Sequence, residues 1–320
     1  MRFLADSRPQ SGPGLGAGRP TLAVAWAVPL LITLVAAPPA AGQQDFSQIE
    51  VKAEPVATGV WMLTGAGGNI GVSAGEDGVF LVDDQYAPLT EKIQAAVAGI
   101  SERPIRFVLN THWHGDHTGG NENLGEAGVL IVAHENVRER MSVEQFMARF
   151  DRTVPASPKA ALPVISFNDA VTFHLNGAEI HAFHVPPAHT DGDSIVHFRE
   201  ANVLHMGDLY FQGGYPFVDL GSGGSARGVL AAANRGLELA GAETKVIPGH
   251  GALSDRAGLE AYRDMLQAVI GRVEALIGEG RSLEEVQAAR PSAAFDETWG
   301  GGWIKPEDFV ATVYESLKGE

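Results

Sequence analysis

The chain has 320 residues, 45% of them hydrophobic, enough to bury a substantial core in one large domain or two small ones. A formal charge of −16 works against binding nucleic acid or an anionic membrane surface, both of which need clustered Lys and Arg, and suits an acidic enzyme acting on a small molecule. With no cysteine, disulfides and thiolate ligands are excluded, and any metal must be held by imidazole and carboxylate.

In chain order, Arg2, Arg8 and Arg19 precede an apolar run from Leu22 to Ala37, followed by the small residues Ala40-Ala41-Gly42 and then polar Gln43-Gln44-Asp45. A positive region, an apolar region and a small-residue site are the parts of a secretory signal peptide, with the cut expected after Gly42. The run is short for a bilayer span and contains Pro29, so a retained membrane anchor is not expected. Without an Arg-Arg pair, the general secretory route is expected. Residues 1–42 are therefore read as a signal peptide and 43–320 as a single domain, periplasmic or secreted.

From Val56 onward strand-like and helix-like stretches alternate. Val60–Leu63 and Val79–Val82 read as strands around the turn Gly75-Glu76-Asp77-Gly78, and Leu89, Ile93, Val97 and Ile100 recur at helical spacing. Ile105–Asn110 and Val129–Ala133 are further strands, the second leading into a helix at Glu135–Met141. Four strands follow, at Ala170–Leu175, Ile180–Val185, Ser194–Phe198 and Val203–Met206. Ser225 is a plausible N-cap for a helix to Leu239, Lys245–Pro248 is strand-like, and Leu259 to Leu276 forms an amphipathic helix stopped by Gly278 and Gly280. Helices at Leu283–Ala289 and Pro306–Leu317 complete the chain. The pattern predicts two β-rich layers with helices outside.

The decisive segment is Asn110-Thr111-His112-Trp113-His114-Gly115-Asp116-His117. Alternation at the end of a strand would point His112 and His114 the same way, able to share a zinc, with Asp116 and His117 presented beyond Gly115 toward a second metal. Two metals need more ligands, and three follow at strand-to-loop junctions: His189, Asp208 and His250. The other histidines (His134, His174, His181, His184, His197 and His205) fit ordinary core or surface roles, except that His184, close to His189 in sequence, is a candidate partner that orients a ligand.

This pattern resembles the metallo-β-lactamase superfamily over nearly all of the chain beyond residue 42. The resemblance implies an αβ/βα four-layer sandwich with two zinc ions at one edge. His112, His114 and His189 would hold the first zinc, Asp116, His117 and His250 the second, and Asp208 would bridge them. Asp83 matches the family's early acidic position, a partner that orients ligands, better than Asp84 does. Asp116 would also orient the attacking hydroxide and shuttle a proton. The family's lactamases either carry cysteine where Asp208 stands or lack a bridging carboxylate, so the substrate stays open. A β-lactamase-like attack on a cyclic amide or ester carbonyl is expected, with phosphodiesterase, lactonase or thioesterase activity and a non-hydrolytic accessory or oxidoreductase role as alternatives. The export signal and acidic tail argue against the glutathione thioesterases, and His114 favours zinc over the iron of the carboxylate-rich oxidoreductases. The aromatic stretch after Asp208, with Tyr210, Phe211 and Tyr215, is expected to join Trp113 in an apolar pocket wall.

Overall fold

The computed structural model describes residues 45–319; the expected signal peptide lies outside the described residues. The elements run β1 (Lys52–Ala57), β2 (Val60–Thr64), β3 (Ile70–Gly75), β4 (Gly78–Val82), α1 (Thr90–Ala98), β5 (Ile105–Asn110), α2 (Gly115–Thr118), α3 (Asn121–Glu126), β6 (Leu130–His134) and α4 (Glu135–Met141). A short hairpin of β7 (Gln145–Met147) and β8 (Arg152–Val154) leads to β9 (Ile165–Phe167). The second half has β10 (Ala170–Leu175), β11 (Ala178–His184), β12 (Ser194–Phe198), β13 (Val203–His205), α5 (Ala226–Leu239), β14 (Lys245–Ile247) and β15 (Ser254–Asp255). Helices α6 (Arg256–Gly278), α7 (Leu283–Ala288), α8 (Asp296–Trp299) and α9 (Pro306–Gly319) close the chain.

Two sheets form, in the orders β1-β2-β3-β4-β5-β6-β9 and β10-β11-β12-β13-β14-β15. Strand β4 is buried along its whole length, as a strand covered on both faces must be, and its alternation sends successive residues into different cores. Phe80 and Val82 meet Ile180, Val196 and Val203 of the second sheet, while Val79 and Leu81 face Ile93 and Val97 of α1. The outer face of the second sheet packs Leu204 and Val246 against Val229 of α5, Leu266 of α6 and Phe309 of α9. Helix, sheet, sheet and helix thus stack in four layers, the αβ/βα sandwich. Ser225 caps α5 by accepting from the Gly228 amide.

Strands β4, β5, β6 and β9 are mutually parallel, as are β13 and β14, so their carboxyl ends open on common edges. Several short pieces escaped the sequence pattern, among them the polar edge strand β1, β3, the β7–β8 hairpin, β9 and β15. One local expectation is corrected. Strand β5 ends at Asn110, so His112 and His114 are carried by the bend beyond it and not by strand alternation.

Candidate metal centre

Seven side chains from separated segments converge at this edge. His112, His114, His189 and Asp208 offer ligand atoms lying within 4.8 Å of one another, and Asp116, His117 and His250 form a second such group. Asp208 faces both. Its Oδ1 is 3.0 Å from His117 Nε2 and 3.4 Å from His250 Nε2, while its Oδ2 is 3.5 Å from His189 Nε2 and 3.8 Å from His112 Nε2. Gly249 permits this approach: a Cβ there would stand 2.1 Å from Asp208 Oδ1.

The outward-facing nitrogens fix the inward-facing ones. His189 Nδ1 donates to the Phe217 carbonyl at 2.7 Å, which can only accept, so in the neutral ring Nε2 is bare. His117 Nδ1 likewise donates to Asp83 Oδ2 at 2.7 Å, and His114 Nε2 to Asp219 Oδ2 at 3.0 Å. The bare nitrogens are then pressed together, His189 Nε2 lying 2.9 Å from His114 Nδ1. His112 Nε2 and Asp208 Oδ1 are buried with no hydrogen bond. Converging lone pairs and unpartnered buried atoms would be costly on their own, and a cation relieves both. The donor set fits divalent metal.

Charge follows the same logic. Burial, aided by the neighbouring His117 and His189, pushes His112 well below the usual histidine range. Burial likewise lowers His189 to about 4, although Asp208 opposes it. Burial opposes charge on Asp208 and Asp116 too, yet nearby histidines outweigh it, holding Asp208 well below the carboxylate range and Asp116 at about 2. Burial works against a proton on His117 and His250, but Asp208 and Asp116 reverse that, raising His117 well up and His250 to about 9. These carboxylates are an excess of negative charge that protons balance and a metal would take over.

Asp83 is the stronger of the two acidic partners. Fully buried and held at φ 65°, it accepts from Thr111 N at 2.7 Å, Thr111 Oγ1 at 2.8 Å and His117 Nδ1; Thr111 Oγ1 in turn lies 3.0 Å from His112 Nδ1. Asp84 binds only the Gly120 amide through its side chain and touches no ligand ring. His184 stacks on His134 at 3.8 Å and donates to the Asp193 carbonyl, away from the ligands. None of His134, His174, His181, His184, His197 and His205 belongs to either ligand group.

The pocket expectation is corrected in part. A cleft of about 660 Å³ opens beside His114, Asp116, Asp208 and His250, and Trp113 lines it. Tyr210, Phe211 and Tyr215 do not. The Tyr210 hydroxyl pairs with Gln212 and Ser254, and Tyr215 stacks on Phe309 and donates to Asp296. Both rings are fully buried because α6 to α9 cover this loop; Phe211, also buried, stacks on His250 from the core side. The aromatic wall comes instead from Phe150, Phe217 and Trp303.

Two positioning residues were missed by sequence reasoning. Asp219 holds His114 and also accepts from Ser222 Oγ, which accepts from Trp113 Nε1. Asn69 ties the β2–β3 connection to the His250 loop through the Pro248 and Gly251 carbonyls. A lone Asp in a loop, or an Asn beside glycines, carries no spacing signal.

The family model for the metallo-beta-lactamase superfamily matches residues 63–270. The chain belongs to that superfamily. Among curated relatives, a hydroxyacylglutathione hydrolase of Methylococcus capsulatus is 29% identical over 245 residues, covering 72% of this chain and 82% of the relative. The alpha subunit of 2,4-dinitroanisole O-demethylase from a Nocardioides strain is 25% identical over 162 residues, half of this chain and 46% of that subunit. A metallo-beta-lactamase from Pontibacter korlensis superposes with a TM-score of 0.56 at 19% identity, over 68% of this chain and 99% of its own. The sec-alkylsulfatase Pisa1 of a Pseudomonas species superposes at 0.65 and 17% identity, over 83% of this chain and half of its own. At these identities the structural matches establish the superfamily fold alone.

Proposed function

We propose that this superfamily member is an exported hydrolase that uses two zinc ions to cleave a cyclic amide or ester carbonyl of a small molecule. The observation that carries the reading is Asp208, whose two oxygens face two separate ligand groups. His112, His114 and His189 would hold one ion, Asp116, His117 and His250 the other, with Asp208 between. An all-nitrogen and oxygen donor set with several imidazoles suits zinc. Bound there, two zinc ions supply Lewis acidity and a water acidified enough to attack near neutral pH.

The chain's own residues divide the remaining work. Asp116 is partly exposed, lines the cleft and has Oδ2 3.3 Å from His250 Nε2, so it can orient the attacking water and take its proton. The buried imidazoles hold their facing nitrogens through Asp83, Asp219 and the Phe217 carbonyl. Export to the periplasm or medium rests on the N-terminal segment ending at Gly42.

A second reading, thioester hydrolysis, is favoured by relatives named hydroxyacylglutathione hydrolase and atrochrysone carboxyl ACP thioesterase. The cleft offers little basic surface for an anionic thiol carrier: of Arg140 and Arg152, the first is tied to Asp191 at 2.6 Å. Metal analysis of purified protein is expected to find about two zinc per chain. Asp116→Asn should lose most turnover of nitrocefin, a lactone, a thioester or bis-p-nitrophenyl phosphate, whichever is cleaved, while the fold persists. A stable protein that takes up no zinc, or full activity in that variant, would refute the reading. Mass spectrometry of exported protein should place the N-terminus at Gln43.

A further inference from the structure

The cleft is lined by His114, Asp116, Asp208 and His250 and also by Phe150, Phe217 and Trp303. These three rings come from segments far apart in sequence yet form one cluster, with centroids 5.6 Å apart for Phe150–Phe217, 5.9 Å for Phe150–Trp303 and 5.5 Å for Phe217–Trp303. Phe150 is 46% exposed and Trp303 50%. Only seven large hydrophobic side chains are exposed among the described residues; Val143, Phe150 and Trp303 line this cleft, and Phe146 sits on the same hairpin. Such clustering marks a binding surface more often than chance exposure does.

The apolar lining is continuous with the ligand groups. Phe217 stacks on His114 at 5.8 Å, and its carbonyl accepts from His189 Nδ1. It is also held in place, because Arg149, beside Phe150, pairs with Asp308 of α9, the helix that follows Trp303.

We infer that Phe150, Phe217 and Trp303 seat an apolar group attached to the scissile carbonyl, so the preferred substrate bears an aryl or medium-length acyl moiety. The inference rests on the hydrolase reading for the word substrate, but the seat can be tested without turnover. Zinc-loaded full-length protein is titrated calorimetrically with sodium acetate and sodium octanoate, which share the carboxylate and differ in the chain. Each pair of seated methylenes is worth about tenfold in affinity, so octanoate should bind at least about tenfold tighter than acetate.

In the double variant Phe150→Ser/Trp303→Ser that preference should fall below about threefold, since the chain loses two of its three rings. Both side chains are half exposed, so the variant should keep its circular dichroism and melting temperature. Octanoate binding no tighter than acetate, or an undiminished preference in the variant, overturns the inference. A wild-type dimer that the variant dissociates without altering the preference would also overturn it, making the patch a self-association surface. A protein that binds octanoate selectively yet cleaves nothing would refute the hydrolase reading and leave the seat standing.

Discussion

Replacing Asp83 by Asn tests whether the ligand geometry is set from outside the metal groups. The substitution is nearly isosteric, and Asn tolerates the left-handed backbone that Asp83 adopts at φ 65°, so strain is not the variable. What changes is the donor pattern. Asp83 accepts three hydrogen bonds, and an amide has one accepting oxygen. If that oxygen stays with the Thr111 amide, the NH2 faces Thr111 Oγ1, which can accept, and His117 Nδ1, which then must accept as well. The neutral imidazole would carry its proton on Nε2, the nitrogen aimed at Asp208 3.0 Å away, and could not ligate.

The lost charge-assisted bond is worth roughly 1.5–3 kcal/mol, in line with the 10- to 100-fold affinity losses typical of such outer partners, so zinc affinity should fall by about that factor. Competition with a chromophoric chelator gives the affinities, and the spectrum of the cobalt-substituted protein reports whether an imidazole has left. The metal-free variant should still unfold in one cooperative transition in urea. Affinities within about threefold of wild type and an unchanged cobalt spectrum would refute the reasoning.

His134 and His184 predict a pH dependence of stability. Burial lowers both, with His184 adding to the effect on His134, and the rings are stacked at 3.8 Å. Asp191 faces both, with Glu135 near His134 and Asp169 near His184, yet the net shift remains downward. Their folded pKa values lie below the unfolded value of 6.5, so the unfolded chain binds more protons in this window. Stability from this pair is complete above 6.5 and lost as pH falls through the folded values. Urea midpoints of wild type and His184→Gln should therefore converge as pH falls below 6.5, and parallel curves would refute the assignment. Tyr215→Phe should cost about 1 kcal/mol by removing the hydroxyl bond to Asp296 while leaving KM unchanged, because the ring lies in the core. A raised KM would return Tyr215 to the pocket.

Most regular elements were legible because burial imposes period. Strands β5, β10 and β12 and helices α4 and α5 occupy the residues their patterns indicate; β12 is largely buried and both helices are capped by a side chain. The hairpin of β7 and β8 was not, since it packs too lightly to require alternation. The aromatic stretch from Tyr210 to Tyr215 shows the complementary failure. Its composition announces apolar contacts, but not whether those contacts are with solvent-lined space or with α6 and α9.

The sequence by itself determined which residues could hold a metal, His112, His114, Asp116 and His117 with His189, Asp208 and His250, and the superfamily to which the chain belongs. The capacity to ligate is a local property, written in side-chain type and spacing. Tertiary structure alone decided which oxygen of Asp208 faces which group, that Asp219 and Asp83 hold His114 and His117, and that Phe150 and Trp303 wall the cleft. Those facts depend on contacts across 19 to 153 residues of chain, from His189 with Asp208 to Phe150 with Trp303, made only when both sheets and their helices are packed.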